Sequence, residues 1–444
     1  MNGIRLHLLA LPHTITRDEF SHCAFTGKVQ RFAPMMRSQG YEVFHYGVET
    51  SQADASQQIT ILTKAEWQAL RVESYQFLHP ELTPKEVEQK VNAAETFIGD
   101  LGNLTTPLYK EFNRRLRDIL FANYRHTSTD IVCLPFGHAH FSAVTGRNYV
   151  LVESGIGYPD SFTDYRIFES YAYLHYNLGK GQKSVPNYWF VAPNYYNTWE
   201  FPLGPGAGSR IGFLGRICDI KGCRIVLEVA KRFPAVEFVL CGQGDATPFL
   251  LPNLRYAPPI HGAERGRYLG SLTALIAPSM YVEPFCGVNV EAQLCGTPVL
   301  GPDCGAFVET IEPFKTGLLC HTLQDYCAGI EMALAGRFDR AYIRARAVSK
   351  YDMYEVAKSY NYALRNILEI HNGGNGWYSP KTFIADREPA PLQVQHEVQV
   401  QHEVQGQAEV QVQAEVQAEV QHEVQAEVQV QEASQVSVAE IPLD

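Results

Sequence analysis

Two short stretches hold residue types at spacings suited to chemistry. In Gly215-Arg-Ile-Cys-Asp-Ile-Lys-Gly222 an apolar run ends, and a loop with Arg216 and Lys221 five residues apart leads into a helical pattern. Two cations beside a helix N-terminus make an anion site, because free N–H groups and the helix dipole add to their charge. A diphosphate suits that site; a surface turn with two solvated cations is the plain alternative. In Glu283-Pro-Phe-Cys-Gly-Val-Asn-Val-Glu291 two carboxylates are separated by seven residues. Gly287 lets a ligand approach the backbone closely. Exposed N–H groups at Phe285, Cys286, Gly287 and Val288 would open a helix carrying Glu291 one turn in, facing the same cleft. A carboxylate accepts from two hydroxyls at once, so the diols of a ribose and a hexose are natural partners. Two helix-start acids favoured by the dipole are the bland reading, and Pro-Phe-Cys-Gly between them weakens it.

These residues need strands and helices to place them. Ile4–Leu11 is a short apolar run ending in a loop, His13–Phe20; residues 28–39 then read as a helix stopped by Gly40, and Tyr41–Tyr46 as a strand. That is an α/β opening. Residues 62–125 are richer in charge and helix formers, with Thr83 a plausible N-cap, and read as a helical insertion. Asp130–Pro135 and Tyr149–Glu153 read as strands and Arg166–Tyr176 as a helix. A second unit follows Pro202-Leu-Gly-Pro-Gly-Ala-Gly: strands at Arg210–Gly215, Val236–Gly242, Leu272–Ser279 and Pro298–Gly301, a helix at Gly222–Arg232, and a long closing helix at 353–370. The expected architecture is α/β, with two doubly wound halves facing across a cleft, ligands binding beyond the carboxyl ends of the strands. The expected divisions are 1–198, 199–352, a closing helix at 353–372 that packs back toward the first half, and a low-complexity tail at 388–444.

The Glu283–Glu291 stretch resembles the signature of retaining GT-B glycosyltransferases of family 4, the glycosyl transferases group 1 set. Gly215-Arg216 with Lys221-Gly222 is similar to that family's phosphate loop, and Ala277-Pro-Ser with Glu291-Ala-x-x-x-Gly-Thr-Pro-Val to its donor site. Gly305-Ala-Phe-Val-Glu-Thr-Ile, Thr316-Gly-Leu-Leu and Val191-Ala-Pro-Asn resemble its later turns and its interdomain linker. Ser21-His-Cys-Ala-Phe-Thr-Gly-Lys28 and Val152-Glu-Ser-Gly-Ile-Gly-Tyr158 look like a subgroup found in bacteria and large viruses. The former departs from the family's Gly-rich first loop by holding only Gly27. The resemblance implies a GT-B fold and transfer of a sugar from a nucleotide-sugar to a hydroxyl acceptor (glycan, lipid or protein) with retention of configuration. It implies that Arg216 and Lys221 neutralise the diphosphate, Glu291 holds the ribose and Glu283 the donor sugar. Gly215, Gly242 and Gly244 would line the nucleotide, and the N–H groups of Phe285, Cys286, Gly287 and Val288 would meet sugar and phosphate. It also implies a cleft histidine after a strand, here His138 first and His140 second, with Glu153 and His22 as weaker candidates. No metal and no cofactor beyond the co-substrate are expected, since cationic side chains replace Mg²⁺ in that family.

Composition bounds the rest. The 444 residues carry a formal charge of −11, but residues 391–444 hold nine Glu, one Asp and no Lys or Arg, so the first 390 are nearly neutral. A nucleic-acid-coating body is excluded. Ten cysteines form no C-x-x-C pair, which fits free thiols in a reducing compartment better than a zinc ribbon or disulfide scaffold. The opening apolar run is too short and interrupted for a signal peptide, and no stretch suits a membrane span. The expectation is a cytoplasmic protein. From Leu392 to Gln431 every Val falls on an even number within H-E-V-Q, A-E-V-Q and V-Q units. Without aromatic residues such a tail is expected to be disordered. Two rivals stand beside the transferase: an epimerase or phosphorylase on the same fold, and a non-catalytic protein presenting the acidic tail.

Overall fold

Short, largely apolar runs bounded by loops give thirteen strands among the described residues, in two parallel sheets. The computed structural model describes residues 3–21, 23–93, 98–126, 129–181, 186, 188–206 and 208–373. His22 and the tail at 388–444 lie outside these residues. The first sheet contains β1 (Arg5–Leu9), β2 (Glu42–Val48), β3 (Gln57–Leu62), β4 (Asp130–Leu134), β5 (Leu151–Ile156), β6 (Tyr165–Phe168) and β7 (Trp189–Val191), in the order 3-2-1-4-5-6-7. The second contains β8 (Arg210–Leu214), β9 (Glu237–Cys241), β10 (Leu254–Ala257), β11 (Ala274–Ile276), β12 (Val299–Pro302) and β13 (Gly317–Cys320), in the order 10-9-8-11-12-13. Each order reverses direction from its first strand, and at such a switch point loops splay apart and leave a crevice at the carboxyl ends.

Helices cover both faces, as parallel sheets require. In the first half these are α1 (Ala24–Arg37), α2 (Lys64–Leu78), α3 (Pro84–Ala93), α4 (Pro107–Asn123), the single turn α5 (Phe141–Val144) and α6 (Tyr171–Gly181). Thr63 and Glu66 form a reciprocal capping box that starts α2, and Thr83 with Glu86 does the same for α3. The second half has α7 (Cys223–Arg232), α8 (Gly262–Ser271), α9 (Gly287–Leu294), the single turn α10 (Phe307–Thr310), α11 (Leu323–Leu334) and α12 (Arg340–Tyr351).

The last helix, α13 (Met353–His371), returns to the first half. Val356, Tyr360, Leu364 and Ile367 lie in one buried cluster with Leu6, Leu8, Val29 and Phe32 of β1 and α1. The crossing is pinned by backbone bonds from Tyr196 N to Tyr351 O and from Met353 N to Tyr196 O, both 2.9 Å.

One expectation is corrected. Arg166–Tyr176 is not one helix: Tyr165–Phe168 is a strand paired with β5 and β7, and the helix begins at Tyr171. All four strand residues are buried, and a position between two strands, where both backbone edges are paired, overrides the local helical reading.

Candidate active site

The site is assembled from loops at the carboxyl ends of β8, β9 and β11. After β8 the chain passes through Gly215 and Arg216, makes a 3₁₀ turn at Asp219–Lys221, and enters α7 through Gly222, whose φ is +77°. A side chain at Gly222 would place Cβ 2.1 Å from Pro278 O, so only glycine lets this loop lie against the one after β11. Gly242 after β9 is equally constrained: its φ is +149° and a Cβ would lie 1.7 Å from Gly215 O. The Ile217 N–H donates to Gln243 O at 2.8 Å and closes the loops on each other. Gly215, Gly242 and Gly244 thus form one layer.

Lys221 and Glu283 meet at the centre. Lys221 Nζ lies 2.6 Å from Glu283 Oε1 and 2.7 Å from Tyr281 Oη. Ser279 Oγ donates to the same Oε1 at 2.6 Å. Burial opposes charge on Lys221, but the attraction and hydrogen bond of Glu283 outweigh it and raise the ammonium above its ordinary pKa. Burial, with Glu283 beside it, pushes the Tyr281 phenol up to about 12. The Arg216 side chain is exposed and makes no ion pair among the described residues.

Glu283 leads into the start of α9. Cys286, the N-cap, sits at φ +60°, an uncommon conformation for a residue with a Cβ. The turn leaves the N–H groups of Gly287 and Val288 without a partner among the described residues, as the first amides of a helix are. One turn on, Glu291 is held by Arg265 of α8, whose Nε and terminal nitrogen lie 2.6 and 2.5 Å from Oε2. Tyr196 Oη donates to Gly287 O at 3.3 Å, linking the interdomain crossing to this helix start.

The first half carries the two candidate histidines in the stretch after β4. His138 is half-buried after β4, its ring stacked on Phe141 at 6.0 Å and tilted against Phe162 at 5.4 Å. Burial lowers its pKa below 6.5, with Asp160 acting weakly the other way, which favours the neutral ring. His140 is fully buried, its Nδ1 3.1 Å from Asn113 Oδ1, and burial drives its pKa down to about 3. Its place is the core. Glu153 is also buried: Oε2 accepts from Thr163 Oγ1 at 2.7 Å and from the Phe162 and Thr163 amides, while Tyr158 Oη donates to Oε1 at 3.1 Å. The Tyr158 hydroxyl accepts from Gly137 N at 3.0 Å. Glu153 therefore anchors the loop that carries His138 and offers nothing to the cleft itself.

Several residues here had no role assigned from the sequence. Tyr281, Ser279 and Arg265 serve the two carboxylates, and Lys28 of α1 forms a buried ion pair with Glu169 after β6, where Asn194 Nδ2 also donates at 3.0 Å. Ser279 and Lys28 lie in stretches already quoted, Ala277-Pro-Ser and Ser21–Lys28, whereas Tyr281 and Arg265 lie outside every quoted motif.

Two doubly wound parallel sheets joined in this way define the GT-B class, and the chain resembles the GT-B glycosyltransferases. Residues 208–335 match the family described as Glycosyl transferases group 1. Over 127 residues the chain is 32% identical to the alpha-maltose-1-phosphate synthase of Mycolicibacterium smegmatis, covering 25% of this chain and 33% of that protein. Over 163 residues it is 31% identical to the D-inositol 3-phosphate glycosyltransferase of Mycobacterium leprae, covering 32% and 38%. The chain thus spans less than half the length of these curated relatives. Among solved structures, sucrose-phosphate synthase from Thermosynechococcus elongatus superposes with a TM-score of 0.57 at 15% identity, over 82% of this chain and 98% of that one. Anabaena Alr3699/HepE, solved in complex with UDP-glucose, superposes with a TM-score of 0.53 at 14% identity, over 82% and 99%. Among the described residues no helix is long and apolar enough to cross a membrane.

Proposed function

We propose that this chain is a retaining, metal-independent glycosyltransferase that moves a sugar from a nucleotide-sugar to a hydroxyl acceptor. The observation that carries this reading is the Lys221–Glu283 ion pair just before the start of α9, where the Gly287 and Val288 amides have no partner among the described residues and Glu291 follows one helical turn on. The diphosphate would sit against the α9 amides and Lys221, within reach of the exposed Arg216. The ribose would meet Glu291, and the transferred sugar Glu283. The similarity to group 1 enzymes, and a fold neighbour solved with UDP-glucose, support a nucleotide-sugar donor.

The electrostatics suit that reaction. Breaking the anomeric C–O bond leaves positive charge on the sugar ring and negative charge on the departing diphosphate. Fixed cations and helix amides stabilise the latter, each such contact contributing about 3 kcal/mol in a water-poor site. The acceptor oxygen forms the new bond to the anomeric carbon, and its proton goes to the departing phosphate oxygen on the same face. Neutral His138 would bind a sugar hydroxyl without repelling the developing ring cation.

The test is a thermal-shift panel of UDP-, GDP-, ADP- and CMP-sugars on the wild type and on Glu291→Ala. One nucleotide should raise the melting temperature of the wild type, with most of the shift lost in the variant. A folded wild type that responds to none of them overturns the proposal.

A further inference from the structure

The loop that carries Glu283 is tied to the opposite domain at two points. Ser170 Oγ, between β6 and α6, donates to Pro284 O at 2.6 Å and accepts from Tyr173 N at 3.1 Å. Glu309 of α10 accepts from the first two amides of α6, Tyr171 N at 3.1 Å and Ala172 N at 2.7 Å, one on each carboxylate oxygen. A carboxylate there satisfies orphan N–H groups and matches the helix dipole. In this case the helix and its cap belong to different domains.

Glu309 is also mechanically close to Glu283. Just before α10, Ala306 N donates to Glu283 O at 3.1 Å, and Gly305 lies so near that a Cβ would approach Glu283 N to 2.8 Å. Residues 305–309 therefore form a short strut, bonded at one end to the backbone of Glu283 and at the other to α6. Ser170 grips the next residue, Pro284, from the same side. The backbone of Glu283 and Pro284 is thus held by groups whose positions depend on how the two domains meet.

We propose that Glu309 and Ser170 are positioning residues that set the Glu283 carboxylate as the domains come together. The inference rests on Glu283 as the donor-sugar ligand. Sugar engagement is then coupled to exclusion of water, because the contact that closes the cleft is the one that aims the carboxylate. Misplacing a reacting group by about 1 Å can cost on the order of a hundredfold in rate, so a strut of this length has leverage.

The first test needs no substrate. Hydrogen exchange is followed by mass spectrometry on the full chain as wild type, Glu309→Gln and Ser170→Ala. Exchange should quicken both at 170–174 and at 283–288. A change confined to 170–174 would make Glu309 a simple helix cap and overturn the proposal. Should Glu309→Gln fail to fold, Ser170→Ala, which removes one hydroxyl, carries the same readout. The second test uses the nucleotide-sugar that stabilises the wild type and a double-mutant cycle with Glu283→Gln. The donor-induced shift of Glu309→Gln/Glu283→Gln should equal that of Glu283→Gln alone, whereas independent, additive losses would overturn the coupling. If no nucleotide-sugar stabilises the wild type while exchange quickens at both segments, the donor reading fails and the mechanical coupling stands.

Discussion

Lys221 sits where two demands meet: it neutralises a nearly buried carboxylate, and in the proposed reaction it would also meet the diphosphate. The side chain of Glu283 is 5% exposed and that of Lys221 20%. Removing the ammonium leaves a carboxylate whose remaining hydrogen-bonding neighbours among the described residues are Ser279 and Tyr281. Breaking a fully buried pair typically costs about 3–5 kcal/mol; the lysine keeps some solvent, so Lys221→Met should lower stability by about 2–3 kcal/mol. Urea unfolding measures this, and donor-induced stabilisation should vanish alongside. An unchanged midpoint would mean that solvent screens the pair. Glu283 and Glu291 were readable in the sequence because their chemistry is packed into nine consecutive residues. Arg265, 26 positions before Glu291, and Glu309, 138 after Tyr171, were not. Nothing in their own neighbourhoods says which distant group they meet.

At the scale of elements, the crevice depends on glycines where loops cross, and their spacing after strands was legible. The sequence could not say which backbone each one touches. Gly242→Ala should cost roughly 1–3 kcal/mol, because it combines a disfavoured φ with a steric overlap against Gly215 O. It should also weaken donor binding by parting the β8 and β9 loops. Chemical denaturation with calorimetric donor titration checks both, and a variant with wild-type stability and affinity would contradict this close approach. The Tyr165–Phe168 strand shows the limit of local pattern. Arg166-Ile-Phe followed by a helical run reads as one helix until β5 and β7 claim its backbone on both sides.

Across the whole molecule, the first domain buries several imidazoles. Burial lowers His13 and His45 to about 4 and His140 to about 3, with Arg71 adding to the effect on His13. These rings are neutral when folded, whereas in the unfolded chain they take up protons near 6.5. Between those values the unfolded state binds more protons, so this stability is fully present above about pH 6.5 and is lost as pH falls toward 4. Each ring should contribute on the order of 1–3 kcal/mol to that loss. Calorimetry at pH 7, 6 and 5 should show the unfolding midpoint falling steadily, and a midpoint flat across that range would sink the account. The return of α13 is a second global feature. Its apolar face completes a core begun more than 300 residues earlier by β1 and α1, so the first domain depends on a helix far along the sequence.

The alternation of strands and helices, the two-half α/β plan, and the loop–helix start that joins Glu283, Cys286, Gly287 and Glu291 are all legible in the sequence. All of these are written in periodicity, glycine placement and spacing within a single turn or loop. It took the folded packing to show that Lys221 lies on Glu283, that Arg265 holds Glu291, that His140 and Glu153 are buried framework while His138 is half-buried against Phe141 and Phe162, and that Glu309 caps a helix of the other domain. The physical reason is range. Local propensity and patterning act over a few residues, whereas an ion pair or an interdomain cap is fixed by the packing of two sheets, which no single segment encodes.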